Sequence, residues 1–317
     1  MIKKSRITDF FGVNRLCVLC YHRIVPVSEA GFQTGSLINA PPDEFDRQVA
    51  FLKKRFNIIS LEELSDRLAS GFPFRPNSLL ITFDDGYKDN YIYAYPVLKR
   101  HKVPAVIFIM TGLIDAGTLI WADRLAHAIE NTTSRVCGHE EVGLFTIATK
   151  QEKDRAKIGI IEGLKKRREE SKNSILEEIY KRLKVVPEEG LPERLYLSAG
   201  EILDMSSGGI DFGSHGVSHA ILTKLDIEDA RKEARESKIC IENLLSKKIE
   251  AFSYPNGTTA DFNGRVIDAV KEAGYKAAFS TVPGINKNGR GLNHFAIKRI
   301  AAGRSFMQLR KNLLLAG

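Results

Sequence analysis

Ser78-Leu79-Leu80-Ile81-Thr82-Phe83-Asp84-Asp85-Gly86-Tyr87 is an apolar run that ends in two adjacent carboxylates and a glycine. The run reads as a buried strand, and two like charges at the end of a buried strand need a shared proton or a cation. Similar units recur along the chain. Leu16 to Tyr21 reads as a strand followed by His22, Ala105 to Ile109 as another, and Ile210 to Gly213 as one ending at Ser214-His215. Ala251 to Ser253 runs into Tyr254-Pro255, Ala277 to Phe279 into Ser280-Thr281, and Phe295 to Ile300 carries Arg299 near its end. Amphipathic helices are expected between them: Pro42 to Arg55, one capped by Ser60 and Glu63, Tyr91 to His101, Ile227 to Leu245 and Arg265 to Ala273. Strands alternating with helices imply an α/β fold of parallel strands, whose ligands bind at the carboxyl ends of the strands.

The 317 residues, 43% hydrophobic and 27% charged, suit a globular protein with a sizeable core. Met1-Ile2-Lys3-Lys4-Ser5-Arg6 is basic, but the segment after it is too polar and short for a signal peptide. No run approaches the roughly 18 apolar residues that span a bilayer, so a cytoplasmic location is expected. Cys17 and Cys20 have redox or zinc spacing, yet on a strand residues three apart face opposite ways, so the pair reads as core filler. The formal charge of +8 is concentrated: Gln151 to Lys184 holds eleven Lys/Arg against seven Asp/Glu, a surplus of four. That segment lies within residues 119–197, a basic, mostly helical insertion. A solvated helix face is the simpler reading of its charge, a peripheral contact with anionic membrane the alternative; no nucleic-acid partner is expected.

His215-Gly216-Val217-Ser218-His219 sets two imidazoles four apart directly after a strand. If the segment turns helically, both rings share a face, and Asp85 completes a two-nitrogen, one-oxygen set with open positions, as in catalytic metal sites. Zinc, or another late first-row ion such as Co, Ni or Mn, suits such donors. It implies metal-assisted hydrolysis, with Asp84 left as base for the water. A glycosidase pair is a poor fit, because consecutive carboxylates do not face each other across a sugar about 5–9.5 Å apart.

Thr82-Phe83-Asp84-Asp85-Gly86-Tyr87 together with Ser214-His215-Gly216-Val217-Ser218-His219 resembles the first two motifs of the polysaccharide deacetylase (NodB-homology) family. The resemblance covers roughly Leu16 to Ile114 and Ser198 to Ile300. It implies a distorted (β/α)7 TIM-like barrel over residues 1–317, with Asp84 as catalytic base and Asp85, His215 and His219 as metal ligands. The implied substrate is an acetylated sugar of a polysaccharide or of a lipid-linked or nucleotide-linked precursor. Phe252-Ser253-Tyr254-Pro255-Asn256-Gly257 stands at the third motif, where Ser253 replaces an arginine that steadies the catalytic Asp and Asn256 replaces an aromatic. Arg299 is the candidate replacement cation, the Asn256 N–H the oxyanion donor, and Tyr254, Pro255 and His22 are substrate-binding candidates. The general-acid histidine of the fifth motif has no counterpart in Ile297-Lys298-Arg299, which leaves His22 and His294 as available imidazoles. A barrel that binds carbohydrate without turnover is the competing reading. Trp121, the only tryptophan, reads as an anchor for the insertion.

Overall fold

The computed structural model describes residues 14–29, 31–32, 38–185, 194–287 and 292–316. The basic Met1 to Arg6 stretch therefore lies outside the described residues, as does Pro187 to Gly190, expected to interrupt the helical segment. The parallel strands are β1 (Arg15–Tyr21), β2 (Ser78–Phe83), β3 (Val106–Ile109), β4 (Asp211–Ser214), β5 (Ala251–Ser253), β6 (Ala277–Phe279) and β7 (Ile300–Ala301). They follow the order β6-β5-β4-β3-β2-β1, with β7 on the other side of β1, where Asn286–Lys287 also pairs with it antiparallel. A parallel bridge between Phe279 and Ile297, just before β7, joins the two ends and closes a distorted barrel. The expected strand from Phe295 to Ile300 is thus reduced to that bridge and the short β7, and Arg299 lies between the two.

Strand alternation sorts the core. Leu16, Val18, Leu80, Val106, Phe108, Ala251, Ala277, Phe279 and Ile297 form one buried cluster, which the alternation places on the inner face. Cys17, Leu19, Tyr21, Ile81, Phe83, Ile107, Phe252 and Tyr254 face outward and pack with the helices. Those helices are α1 (Pro42–Arg55), α2 (Leu61–Ser70) and α3 (Tyr95–His101), then α4 (Trp121–Asn131), α5 (Lys150–Leu164), α6 (Glu169–Leu183) and α7 (Ala199–Ser207), and finally α8 (Ile227–Leu245), α9 (Gly264–Glu272) and α10 (Phe306–Ala316). Cys17 and Cys20 do point to opposite faces: Cys17 joins the outer core, while the Cys20 thiol lies 3.7 Å from Asp84 Oδ2.

Local expectations hold with small corrections. Ser60 Oγ accepts from the Glu63 N–H, but the Glu63 carboxylate pairs with Arg67 instead of returning to the cap, so only half of the capping box forms. Ser198 with Glu201 makes the full box at the start of α7. A π-helical turn at Asn90–Ala94 leads into α3. Between β3 and β4, α4, α5 and α6 share a cluster of their own around Leu125, Ile129, Ile160, Leu164, Ile179 and Leu183. That segment also contains an antiparallel hairpin, Val136–His139 with Gly143–Thr146, so it is not helical throughout. Trp121 is buried in the same cluster. Among the described residues no helix is long and apolar enough to cross a membrane.

Candidate active site

Inner-face alternation on β2 carries Leu80, Thr82 and then Asp84 into the barrel mouth. The backbone then turns into the left-handed region at Asp85 (φ 71°), which points the next carboxylate elsewhere. Gly86 follows at φ 64°, and a Cβ there would meet Ile109 Cγ2 at 2.7 Å, so both the torsion and the space require glycine. Two adjacent carboxylates are separated in this way into different environments.

Asp84 is 1% exposed and is gripped by Arg299: Nη1 donates to Oδ1 at 2.8 Å and Nη2 to Oδ2 at 2.6 Å. Arg299 is itself fully buried, donating from Nε to the Ser280 carbonyl at 2.8 Å and from Nη2 to Ser253 Oγ at 3.0 Å. The small serine on the inner face of β5 thus contributes a hydroxyl to a guanidinium that arrives from the barrel-closing segment. Burial alone would push the Asp84 carboxyl up, but Arg299 and, behind it, His215 outweigh burial and hold it down at about 2.

Asp85 faces the two imidazoles. Its Oδ1 lies 3.4 Å from His215 Nε2 and 3.3 Å from His219 Nε2, and it is buried without a hydrogen-bond partner. His215 Nδ1 lies 2.7 Å from the Ser253 carbonyl, which can only accept, so Nδ1 carries the proton and Nε2 presents its lone pair to Asp85. The expected helical turn is absent: Gly216 (φ 80°) and His219 (φ 62°) bend the loop, and the rings meet with centroids 5.0 Å apart at 61°. Glu233 of α8 holds this loop, accepting from the Val217 N–H (2.6 Å), the Ser218 N–H (3.1 Å) and Ser218 Oγ (2.6 Å). A Cβ at Gly216 would come within 2.9 Å of that carboxylate. An orphaned buried carboxylate oxygen beside the Nε2 atoms of two imidazoles fits a divalent cation, and the N2O donor set suits zinc or another late first-row ion. His215 responds to the same crowding: burial opposes its charged form, but Asp84 and Asp85 outweigh burial and raise its pKa.

A second group, Cys20, His22 and Asp84, also brings its donor atoms within 4.8 Å of one another. It is a poor cation site, because Arg299 already occupies both Asp84 oxygens.

Asp84, Asp85, His215, His219, His22 and Asn256 line one cavity of about 210 Å³. The Asn256 side chain donates to Asp261 Oδ2 at 2.6 Å, and its backbone sits at φ 61°. Tyr254 is not part of this lining. It is fully buried on the outer face of β5, stacked on Phe262 with its hydroxyl on the Phe295 carbonyl, so the expected substrate contact is replaced by a packing role. Pro255 is buried and lies behind Gly216 rather than in the lining. His294, the other imidazole considered from the sequence, sits beside the middle of β6, where its carbonyl accepts from the Ala278 N–H, and not at the cavity. Sequence reasoning passed over Ser253 Oγ as a partner of Arg299, Glu233 as the support of the histidine loop, and the side of the cavity formed by α5. Helical spacing carried that last signal, since Ile158, Ile161, Glu162 and Lys165 stand at i, i+3, i+4 and i+7 and all line the cavity.

The basic run after α5 is largely paired within the molecule: Lys165 with Glu162, Arg167 with Glu141, and Arg168 with Asp226. These pairs give no support to a cationic membrane or nucleic-acid surface there.

The polysaccharide deacetylase family model matches residues 73–278, more than half of the chain. The YxkH protein of Bacillus subtilis (strain 168), which carries a polysaccharide-deacetylase name, is 23% identical over 292 residues, 92% of this chain and 73% of its own. A poly-β-1,6-N-acetyl-D-glucosamine N-deacetylase of Staphylococcus aureus (strain N315) is 39% identical over 71 residues, 22% of this chain and 24% of its own. The solved structure of the Streptococcus pyogenes deacetylase PplD in complex with acetate superposes with a TM-score of 0.61 at 20% identity, covering 94% of this chain and 98% of that one, a likeness of fold. With the family model spanning the strand ends that carry both aspartates and both histidines, the chain belongs to the polysaccharide deacetylase family.

Proposed function

We propose that this protein is a metal-dependent hydrolase that removes the acetyl group from an N-acetylated sugar. The observation that carries this reading is the division of the two aspartates: Asp84 on Arg299, and Asp85 between His215 and His219 at one end of the barrel. A divalent cation held by Asp85, His215 and His219 supplies polarisation of the acyl carbonyl and activation of water. The chain's own groups do the rest. Arg299 favours the ionised form of Asp84 and fixes its direction, so Asp84 is assigned as the proton acceptor for the attacking water. The Asn256 N–H is assigned to the oxygen that becomes negative as the carbonyl is attacked. His22, which lines the same cavity, is assigned to proton delivery at the leaving nitrogen.

The competing reading, a binding barrel without turnover, is motivated by the missing third-motif arginine and the missing fifth-motif histidine. It loses the first support, because Arg299 reaches the same carboxylate from the barrel-closing segment. The test is acetate release from N-acetylated sugars by the zinc-loaded protein, with chelated protein and Asp84→Asn alongside. Release that stops in both controls supports the reading. Release undiminished by either control, or sugar binding with no acetate at all, overturns it.

A further inference from the structure

The cavity lies between two bodies of different chemistry. The barrel side is polar, whereas the facing side comes from α4 and α5, with Trp121, Ala122, Ile158 and Ile161 contributing apolar surface. Helix α5 is apolar on two faces. One, with Ala156, Ile160 and Leu164, is fully buried in its own cluster. The other, with Ile158, Ile161, Glu162 and Lys165, is turned to the cavity, and Ile158 remains 51% exposed. Glu162 and Lys165 pair at 2.7 Å, so this face is apolar with a neutralised polar end. Arg168, one turn on, pairs with Asp226 at the cap of α8 at 2.7 Å, and α8 also carries the Glu233 that holds the histidine loop. This exposed pair joins the segment after α5, not the α5 face itself, to the body that carries the candidate groups.

Branched aliphatic side chains offer sugar hydroxyls no partner, and a hydroxyl desolvated against them is penalised. An apolar group on the same surface gains from leaving water. The acyl carbonyl has to sit among Asp84, Asp85 and the histidines on the barrel side. The part of the substrate that reaches α5 is then the part remote from the scissile bond. We propose that the Ile158–Ile161 face of α5 is an aglycone wall, and that the site takes an N-acetylated sugar bearing an apolar aglycone in preference to an internal unit of a long polysaccharide. This inference rests on the deacetylase reading and specifies its substrate class.

Trp121 is the only tryptophan and lines the cavity, so its fluorescence reports occupancy independently of acetate release. The zinc-loaded full chain is titrated with octyl and methyl N-acetyl-β-D-glucosaminide below micellar concentrations, with the N-acetylglucosamine tetramer, and with the methyl glycoside of N-octanoylglucosamine, amplitudes being read before turnover. The octyl glycoside is expected to bind at least tenfold more tightly than the methyl one. Ile158→Asn should reduce that preference below threefold, while Leu314→Asn, at an exposed leucine on α10, should leave it intact and so exclude unspecific detergent uptake. Equal affinities for octyl and methyl glycosides, tightest binding of the tetramer or of the N-octanoyl compound, or a preference untouched by Ile158→Asn overturns the proposal. An octyl preference without acetate release leaves the wall standing and sinks the hydrolase reading; acetate release without the preference does the reverse.

Discussion

Replacing Arg299 by methionine leaves Asp84, 1% exposed, without its two charge-assisted bonds of 2.8 and 2.6 Å, and strips partners from Ser280 O and Ser253 Oγ. Breaking a buried ion pair from one side costs about 3–5 kcal/mol, because the remaining charge is stranded. The pH dependence carries a distinct signature. In the native protein the Asp84 carboxyl is depressed to about 2, so its contribution is present above the unfolded value of 3.8 and is lost as pH falls towards 2. Without Arg299 the strongest influence lowering the carboxyl is gone while burial, which favours the protonated form, remains, so the folded-state proton is held more tightly than in wild type and less stability is lost on acidification. The deficit of Arg299→Met should therefore be largest at neutral pH and shrink on acidification. Urea unfolding of wild type, Arg299→Met, Asp84→Asn and the double variant at pH 7 and pH 4.5 measures it. The double variant should recover more than about 2 kcal/mol relative to Arg299→Met, since it leaves no stranded charge. The reasoning fails if Arg299→Met costs less than about 1 kcal/mol, if the double variant is no more stable than the single, or if the deficit grows towards acid.

Other expectations follow from neighbouring contacts. Glu233→Gln loosens the histidine loop without touching a ligand atom, and zinc affinity measured by competition with a chromophoric chelator should fall about 10–100-fold. His219→Ala removes a donor outright, and the bound zinc in metal analysis should drop from one equivalent to near none; full retention would dismiss the Asp85, His215 and His219 site. Asp211, where β4 begins, accepts from the Leu61 N–H, and burial raises its carboxyl, so ionised Asp211 costs stability as pH rises through that value. Asp211→Asn should therefore match or exceed the wild-type melting temperature at pH 7, with the margin closing towards pH 4.

What could be read in advance was local. Alternation on β2 sends Asp84 inward after Leu80 and Thr82, and a buried carboxylate there needs a cation, whichever strand supplies it. The same alternation on β5 puts Ser253 inside and Tyr254 outside, so the packing role of Tyr254 was legible in the pattern that revealed the strand. The bend in the His215 to His219 loop was less accessible: its positive φ angles arise where Glu233, sixteen residues beyond Val217, collects the loop's N–H groups. The hairpin at Val136–His139 and Gly143–Thr146 escaped because its strands are four residues each and half-exposed, too short for a period to show. The α5 wall was visible as spacing, but a helix with two apolar faces reads as ordinary core until its second face is seen to border a cavity.

The closure of the barrel near Ile297 also sets an order of events during synthesis. Asp84 and the guanidinium that charges it are 215 residues apart, so at ribosomal rates of about 5–20 residues per second the aspartate waits roughly 10–40 s for its partner. Until then the strands before Ile297 can be present while the inner carboxylate lacks its counterion. The barrel-closing segment thus works as a commissioning step: a chain cut short before Arg299 would retain Asp85, His215, His219 and most of the sheet, yet leave Asp84 without the guanidinium that grips it.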